Sequence, residues 1–329
     1  MTAKPKITFS TNPNPRNRAL IEGMIPIDGY DLEYVGDKYS AGEIHYRFVQ
    51  GEFDVAEMST ATLMRAKENG KRFLALPVFF QRGPRQRNIF YCEGKLSHPS
   101  ELKGKQIGAF RYGATAVSWA RGYLLDAHNI KTTDVGWFVS GKEVYIANEL
   151  PVRVERLDPP PPFGQEKEHL AKLLSEGKVA AALVAGDSGY PGLFGGGVLP
   201  GIMGKVPGVK PLFEYTDEII QYVKRTEIYP IIHIMTIKEE TVEKYPDLAA
   251  KLIEAFREAN RLALQFFTPA QAEGYAKERD VLGYDPYSCV LTAADKKSLE
   301  ALNRYQIEQG LVKKELPLES LFVKEAFSM

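Results

Sequence analysis

Short apolar segments alternate with longer amphipathic segments along almost the whole chain of 329 residues. The first apolar segments are residues 6–10, 31–34 and 53–58, and each precedes a stretch with helical periodicity. Alternation of this kind is typical of βαβ units and of a largely parallel sheet. The sequence therefore predicts an α/β protein.

The length of the chain suits two lobes of roughly 100–200 residues each better than one core. Strand-like segments near residues 80–92 and 228–237 are predicted to cross between the lobes. This arrangement assigns residues 1–90 and 230–329 to lobe I and residues 91–229 to an inserted lobe II. The glycine-rich segment around residues 186–208 has no periodicity and is predicted to be a surface loop.

The composition excludes several functional classes. Lys plus Arg and Asp plus Glu both number 42, so there is no electrostatic reason to expect nucleic acid as a partner. No run approaches the 18 or so apolar residues of a membrane span. The N-terminus enters a strand-like pattern without the charged and apolar regions of a signal peptide, which favours the cytoplasm. Cys92 and Cys289 are too few for a disulfide framework or a cysteine zinc site.

Familiar catalytic motifs give little support to other enzyme classes. The chain has no Gly-x-Gly-x-x-Gly, Walker or His-Glu-x-x-His motif, so nucleotide cofactors and zinc hydrolysis lack support. The string Gly-Asp-Ser-Gly at residues 186–189 mimics the nucleophile segment of trypsin-like proteases. Those enzymes are antiparallel barrels with an upstream histidine, whereas this chain has a βαβ pattern.

The position of His233 sets it apart from the other histidines. It lies inside the apolar string Ile-Ile-His-Ile-Met at residues 231–235, where a buried imidazole must find a hydrogen-bond partner. It is either a satisfied core residue or a proton-transfer group. Four histidines lie among charged residues in helical or turn segments and are predicted on the surface: His45, His98, His128 and His169.

Glu57 lies near the C-terminal end of the apolar segment 53–58. Ligands of open parallel sheets gather outside the carboxyl ends of the strands, where this carboxylate is expected. Burial tends to raise the pKa of a glutamate, which suits acid–base chemistry. The alternative is a strand-end ion pair with a neighbouring Arg or Lys.

Six arginines follow predicted strands, at the positions where a cleft should form. Guanidinium groups bind carboxylates bidentately, so the set predicts an anionic ligand, although in the alternative interpretation about half of them face water. Two predicted helix N-termini, at Ser59-Thr60 and at Tyr112–Thr115, offer further anion-binding groups. The arginines are Arg16, Arg18, Arg82, Arg85, Arg87 and Arg111.

These segments resemble the 4,5-dihydroxyphthalate decarboxylase family, a cytoplasmic branch of the type II periplasmic-binding-protein fold. The resemblance covers nearly the whole chain. Its most specific strings are Phe-Asp-Val-Ala-Glu-Met-Ser at 53–59, Ile-Tyr-Pro-Ile-Ile-His at 228–233, and Tyr112 with Thr115 and Trp119. The chain departs from the family at Arg85-Gln-Arg87, where Arg-His-Ser is usual, at Arg111, where an acidic residue is expected, and at Asp187, where an arginine is usual.

The resemblance implies a two-lobed, type II periplasmic-binding-protein-like α/β fold with two crossover strands. It implies cofactor-free loss of CO₂ from a hydroxylated aromatic acid, 4,5-dihydroxyphthalate or a similar compound. Glu57 and His233 would share the proton transfers, with His233 as the acid that protonates the ring carbon. Arg18, Arg85 and the Tyr112–Thr115 helix end would hold the carboxylates of the ligand.

The expected partner is therefore a small aromatic carboxylate in the cleft between the lobes. The wider set of predicted ligand-binding residues is Arg16, Arg18, Ser59, Thr60, Arg82, Arg85, Arg87, Arg111, Tyr112, Thr115 and Asp187. No metal is predicted, because one carboxylate and one imidazole fall short of a usual ligand set. A homo-oligomer stays open. The alternatives are a non-catalytic solute-binding protein, such as a transporter receptor or a sensor, and another lyase on this fold, as in menaquinone or thiamine biosynthesis.

Overall fold

The computed structural model describes residues 3–146, 148–185, 203–213 and 217–328. The strands of this part, in chain order, are β1 Lys6–Ser10, β2 Asp31–Tyr34, β3 Val55–Ser59, β4 Phe73–Arg82, β5 Ile89–Cys92, β6 Gln106–Ala109, β7 Gly136–Val139, β8 Val154–Arg156, β9 Ala181–Leu183, β10 Val209–Pro211 and β11 Ile231–Lys238. The helices are α1 Arg18–Ile21, α2 Ala41–Val49, α3 Thr60–Glu68, α4 Thr115–His128, α5 Glu166–Ser175, α6 Asp217–Thr226, α7 Glu239–Lys244, α8 Leu248–Leu262, α9 Pro269–Leu282, α10 Ala293–Glu308 and α11 Leu318–Leu321.

The described strands form two sheets, each with its own core. One sheet has the order β2-β1-β3-β11-β4, with β1, β2 and β3 parallel and β11 antiparallel to both of its neighbours. The other has the order β10-β5-β9-β6-β7-β8, with β6 to β9 parallel and β5 antiparallel to its neighbours. We call the first sheet and the elements packed on it lobe I, and the second sheet with its helices lobe II.

The C-terminal helices belong to the core of lobe I, since α8, α10 and α11 pack apolar side chains into the same cluster as β1, β3 and β11. The predicted boundary between residues 229 and 230 lies just before β11, and the boundary between residues 90 and 91 falls inside β5. The chain changes lobe between β4 and β5, inside the predicted segment 80–92, and again just before β11, inside the predicted segment 228–237. The strands β4 and β11 themselves lie in the sheet of lobe I.

Helix α2 shows how local sequence sets an element of lobe I. Ser40 and Glu43 form a capping box at its start, and Gly51 follows its end with a positive φ of 90°. Its buried residues include Gly42, His45 and Phe48, which recur at helical spacing. This stripe turns His45 towards the sheet.

Two elements were not predicted. The strand β10 of lobe II and the helix α6, which forms a small separate apolar cluster, follow the glycine-rich segment. For α6 the signal was present, because Ile219, Tyr222 and Val223 are buried and spaced as one face of a helix. Of the predicted loop, residues 186–202 lie outside the described residues.

Helix α4 joins the two lobes. Trp119 Nε1 donates to the carbonyl of Ile231 on β11 at 3.1 Å, and Arg121 Nη2 donates to Gln309 Oε1 just after α10 at 2.8 Å. Gly122 lies directly under the ring of Tyr305, so a Cβ there would collide with it. The N-terminus of α4 is thereby placed beside the carboxyl end of β3. No helix in the described part of the chain is long and apolar enough to span a membrane.

Candidate functional site

Glu57 is the only acidic residue of β3, a strand whose residues are all buried. Its side chain is 1% exposed. The Oε2 atom accepts hydrogen bonds from Thr11 Oγ1 at 2.6 Å and from the Asn12 N–H at 3.0 Å, both just beyond the end of β1. Because β1 and β3 are parallel neighbours, their carboxyl ends meet and fix this carboxylate.

His233 reaches Glu57 from the next strand. It lies opposite Ser59 in the β3–β11 pairing, and residues 57 and 59 point to the same face of the sheet. The pairing of β11 with β4 is irregular on both sides of His233. The distance from His233 Nδ1 to Glu57 Oε1 is 2.5 Å. The imidazole of His233 is 13% exposed, so one side of it is accessible from outside the protein, whereas Glu57 is not accessible.

The hydrogen bonds to Glu57 decide its charge. Burial raises the pKa of this carboxyl, but the hydrogen bonds and charge of His233, with the donors Thr11 and Asn12, outweigh it and lower the pKa below the ordinary value. The sequence-based expectation of a raised pKa is therefore wrong. The ionised carboxylate can only accept, so His233 Nδ1 carries a proton and donates it, leaving Nε2 for exchange with a ligand.

His45 lies against the same pair. It was predicted on the surface, which is wrong, since it is 3% exposed on the inner face of α2. Its ring meets the ring of His233 edge to face, with centroids 4.7 Å apart. Burial and the charges of His233 and Arg111 hold its pKa well below 6.5. Its Nε2 is buried and has no hydrogen-bond partner in the structure described here.

We call His45, Glu57 and His233 the Glu57 cluster. One nitrogen or carboxylate oxygen from each of the three lies within 4.8 Å of the other two. The cluster therefore has the components for proton transfer and for holding a cation.

The two predicted helix N-termini do meet. Ser59 Oγ and Thr115 Oγ1 are 2.6 Å apart, and Thr115 Oγ1 also accepts the N–H of Ala61 at 2.9 Å in the first turn of α3. Thr60 Oγ1 donates to the carbonyl of Ile232 at 3.1 Å. These hydroxyls connect α3, α4 and β11 close to His233, and their known bonds are to the protein itself.

The backbone ahead of α4 binds a carboxylate from the chain. The N–H groups of Tyr112 and Gly113 donate to the two oxygens of Glu143 at 2.6 and 3.1 Å. We call these two N–H groups the Tyr112–Gly113 nest. The guanidinium of Arg65 packs closely on it, since a Cβ on Gly113 would lie 2.9 Å from Arg65 Nη2. The two N–H groups thus bind a carboxylate of the chain itself, and ligand binding at this helix end stays a prediction.

Arg111 is the predicted arginine that the structure brings to the Glu57 cluster. Its guanidinium packs against Gly42, one turn ahead of His45, where an added Cβ would lie 2.8 Å from Arg111 Nη2. It forms a buried ion pair with Glu166 and lies over the ring of Phe163 at 4.6 Å. Its Nε is buried without a partner among the described residues. Arg111 therefore carries a positive charge from lobe II to α2 of lobe I.

Arg16 and Arg82 are engaged in the packing of lobe I. Arg16 donates to Asn260 Oδ1 at 2.5 Å and lies over the ring of Tyr287 at 3.7 Å. Arg82 is fully buried and donates to Asp295 Oδ1 at 2.5 Å. Both side chains support the fold here.

Arg18 is exposed and pairs with Glu22 at 2.6 Å. Arg85 donates to the carbonyl of Gly83 at 3.1 Å in the connection between the lobes, and Arg87 is half-buried there. Asp187 lies outside the described residues. The six predicted arginines therefore do not all gather around the Glu57 cluster.

Sequence reasoning missed four residues of the site. The sequence did not single out Thr11, Asn12, Glu143 or Glu166. All four act through partners at least 30 residues away, namely Glu57, the Tyr112–Gly113 nest and Arg111. His45, by contrast, had a local signal in the buried stripe of α2.

No family model matches the chain. It is 27% identical over 272 residues to a 4,5-dihydroxyphthalate decarboxylase of Comamonas testosteroni, which covers 80% of this chain and 77% of that protein. A 4,5-dihydroxyphthalate decarboxylase of Pseudomonas putida is 30% identical over 176 residues, which covers 51% of this chain and 66% of that protein. These relatives confirm the resemblance predicted from the sequence.

Solved structures confirm the fold. The periplasmic aliphatic sulphonate binding protein SsuA of Escherichia coli aligns with a TM-score of 0.59 at 14% identity, covering 98% of this chain and 93% of that one. The desulfurization enzyme DSZB aligns with a TM-score of 0.55 at 13% identity, covering 99% and 98%. The chain has the predicted two-lobed, type II periplasmic-binding-protein-like fold. Because a binding protein and an enzyme share it, the fold alone does not give the activity.

Proposed function

We propose that this relative of the 4,5-dihydroxyphthalate decarboxylases is a carboxy-lyase that removes CO₂ from a hydroxylated aromatic acid without a cofactor. The observation that carries the proposal is the bond between His233 Nδ1 and the buried carboxylate of Glu57. A group that moves protons needs a fixed tautomer and a free nitrogen, and this pair supplies both.

In the proposed reaction the protonated His233 gives its Nε2 proton to the ring carbon that bears the departing carboxylate. The aromatic electron pair forms the new C–H bond, and a hydroxyl group ortho or para to that carbon stabilises the dienone-like intermediate as it loses its own proton. The C–C bond to the carboxylate then breaks, CO₂ leaves, and its electron pair restores the aromatic ring. The phenolate oxygen then regains a proton, so the net change is replacement of the carboxylate by a hydrogen with release of CO₂.

The geometry gives Glu57 a narrower role than the sequence suggested. Both of its oxygens accept hydrogen bonds from the protein, and its pKa is lowered. We therefore assign it to orienting His233 and to stabilising the imidazolium, while His233 carries the proton. The proton of the phenol passes to solvent on the open side of His233, because the low pKa of the buried His45 makes that imidazole a poor base, and a proton returns to the phenolate oxygen after CO₂ has left.

A carboxylate that stays on the ring needs a positive partner. We propose Arg111 for this role, since it reaches the Glu57 cluster and keeps a buried Nε without a partner among the described residues. Arg85 and Arg87, in the connection between the lobes, are proposed to help Arg111 bind this carboxylate. The departing carboxylate should lie away from arginine, because a salt bridge to it would stabilise the ground state and slow the reaction.

The proposed location is cytoplasmic and the proposed ligand a small aromatic carboxylate, with a homo-oligomer left open. The rival function, a solute-binding protein, has support from the SsuA fold neighbours only. A receptor has no need of a buried carboxylate–imidazole pair, and this pair is the reason to prefer an enzyme.

The test is a release assay on the purified chain with 4,5-dihydroxyphthalate and with mono- and dihydroxybenzoates, following CO₂ and the aromatic product. A thermal-shift measurement on each compound runs alongside. The proposal predicts CO₂ release in step with loss of substrate, with no added metal or organic cofactor. Thermal stabilisation by a compound that is never turned over would instead establish the binding protein.

A further inference from the structure

The Glu57 cluster contains a more complete set of metal ligands than the sequence indicated. The sequence offered one carboxylate and one imidazole, and the fold adds His45 from α2. The three residues come from three different elements, and their candidate atoms lie within 4.8 Å of one another. Two histidines and one carboxylate are a set that proteins use for zinc and for non-haem iron.

The Nε2 atom of His45 provides an independent sign of a missing partner. It is buried, and no described residue hydrogen-bonds to it. Buried polar atoms are rarely left in this state, because an unsatisfied nitrogen is unfavourable. An ion bound to its lone pair would satisfy it.

The surroundings of Glu57 match the outer shell of a metal site. Its Oε2 is held by Thr11 Oγ1 and the Asn12 N–H, and Thr11 Oγ1 in turn accepts from Asn17 Nδ2 at 3.1 Å. These bonds turn Oε1 towards the two imidazoles. Hydrogen bonds to a ligating carboxylate orient it in this way and strengthen metal affinity.

The cluster is open on one side. His233 is 13% exposed, whereas Glu57 is 1% exposed and His45 3% exposed. Three protein ligands with one accessible position are typical of reactive rather than structural zinc sites. The neighbouring positive charge of Arg111 is offset by its ion pair with Glu166.

From this geometry we infer that His45, Glu57 and His233 bind one divalent transition-metal ion, with Zn²⁺ as the expected species. The ion would bind to Glu57 Oε1 and His233 Nδ1 and would replace the hydrogen bond between these two atoms. A further consequence rests on the proposed function. The bound ion inhibits the enzyme, because His233 loses its hydrogen bond to the Glu57 carboxylate.

The binding test needs no substrate. The full chain, freed of metal with a chelator, is titrated with Zn²⁺ against a chromophoric competitor and with Co²⁺ while its visible d–d absorption is followed. One equivalent should bind. His233→Gln should weaken binding by at least about 100-fold, and Thr11→Val, which removes an outer-shell bond, by about 10–100-fold.

The exposed His98 supplies the matched control, since His98→Gln loses a histidine away from the cluster and should bind like the unaltered chain. His45→Gln should behave as His233→Gln does. If it fails to fold, the more accessible His233→Gln decides the matter. No stoichiometric binding by the unaltered chain, or equal binding by His233→Gln, would overturn the metal site.

The inhibition is tested separately from the binding. Zn²⁺ at saturating concentration should stop CO₂ release by the unaltered chain, and a chelator should restore it. Full turnover with Zn²⁺ bound would overturn the inhibition. A chain that binds Zn²⁺ but never releases CO₂ would refute the proposed function and leave the metal site supported.

Discussion

The Glu57 cluster of lobe I and the Tyr112–Gly113 nest of lobe II both handle a buried carboxylate, but they do so differently. In the nest, two backbone N–H groups bind Glu143, and every group named there has a partner within the chain. In the cluster, Glu57 is held by three donors, yet His45 Nε2 is left without one among the described residues. The difference teaches that polar groups whose hydrogen bonds are all made within the chain support the fold, whereas a cluster that leaves His45 Nε2 without a partner among the described residues points to chemistry.

The comparison also separates charge from proton transfer. Lobe II contributes Arg111, which is tied to the protein by its ion pair with Glu166. Lobe I brings the imidazoles of His45 and His233, a side-chain type that can give up or take a proton, whereas a guanidinium stays charged. On this account lobe I performs the reaction and lobe II positions the ligand.

The largest expected effect comes from Glu57→Gln. The amide cannot stabilise the imidazolium of His233, so turnover should fall by about 10²-fold or more, with a smaller change in KM. Steady-state kinetics on the substrate found in the release assay measures both values. His98→Gln is the control, and a Glu57→Gln enzyme with unaltered kcat would remove the carboxylate from the mechanism.

A second change tests whether the nest is structural. Glu143→Gln keeps an acceptor oxygen but loses the charge, and should reduce the free energy of unfolding by about 1–3 kcal/mol while leaving kcat within about threefold. Denaturant unfolding and kinetics on the same preparation check this. A large loss of kcat with stability intact would move Glu143 from the fold to the reaction and break the comparison.

The third prediction concerns pH and His45. Its pKa in the folded chain lies well below 6.5, the ordinary value expected after unfolding. The contribution of neutral His45 to the free energy of unfolding is thus fully present above pH 6.5. It is lost as the pH falls, because His45 binds a proton in the unfolded chain before it does so in the folded chain. By pH 5.5 the loss amounts to about 1.4 kcal/mol. Urea unfolding from pH 7.5 to 5.5 should show this loss, and His45→Gln should lack it. An identical pH dependence in the two chains would contradict the buried, neutral imidazole.

The sequence predicted the fold and the two central residues for local reasons. Alternating apolar and amphipathic segments indicated the α/β class, and a carboxylate at a strand end and a histidine inside an apolar strand singled out Glu57 and His233. The structure places them in contact across neighbouring strands. Both patterns extend over only a few neighbouring residues, and periodicity and strand position are properties of such short segments.

The rest depended on distant contacts. Arg82 and Asp295, or Arg16 and Asn260, are more than 200 residues apart, and no local pattern shows that these arginines serve the packing of lobe I. The pKa of Glu57 was predicted in the wrong direction because its donors come from the residues just after β1 and from β11. Arg111 was placed correctly after a strand, but its ion pair with Glu166 forms only in the folded lobe.

The central claim, that His233 carries the proton to the ring, is tested most directly by comparing CO₂ release by the unaltered chain and by His233→Gln. Ligand binding is followed in both by thermal shift. The account predicts at least about a 100-fold loss of turnover in His233→Gln, with the ligand still bound. Equal turnover by the two chains would contradict it.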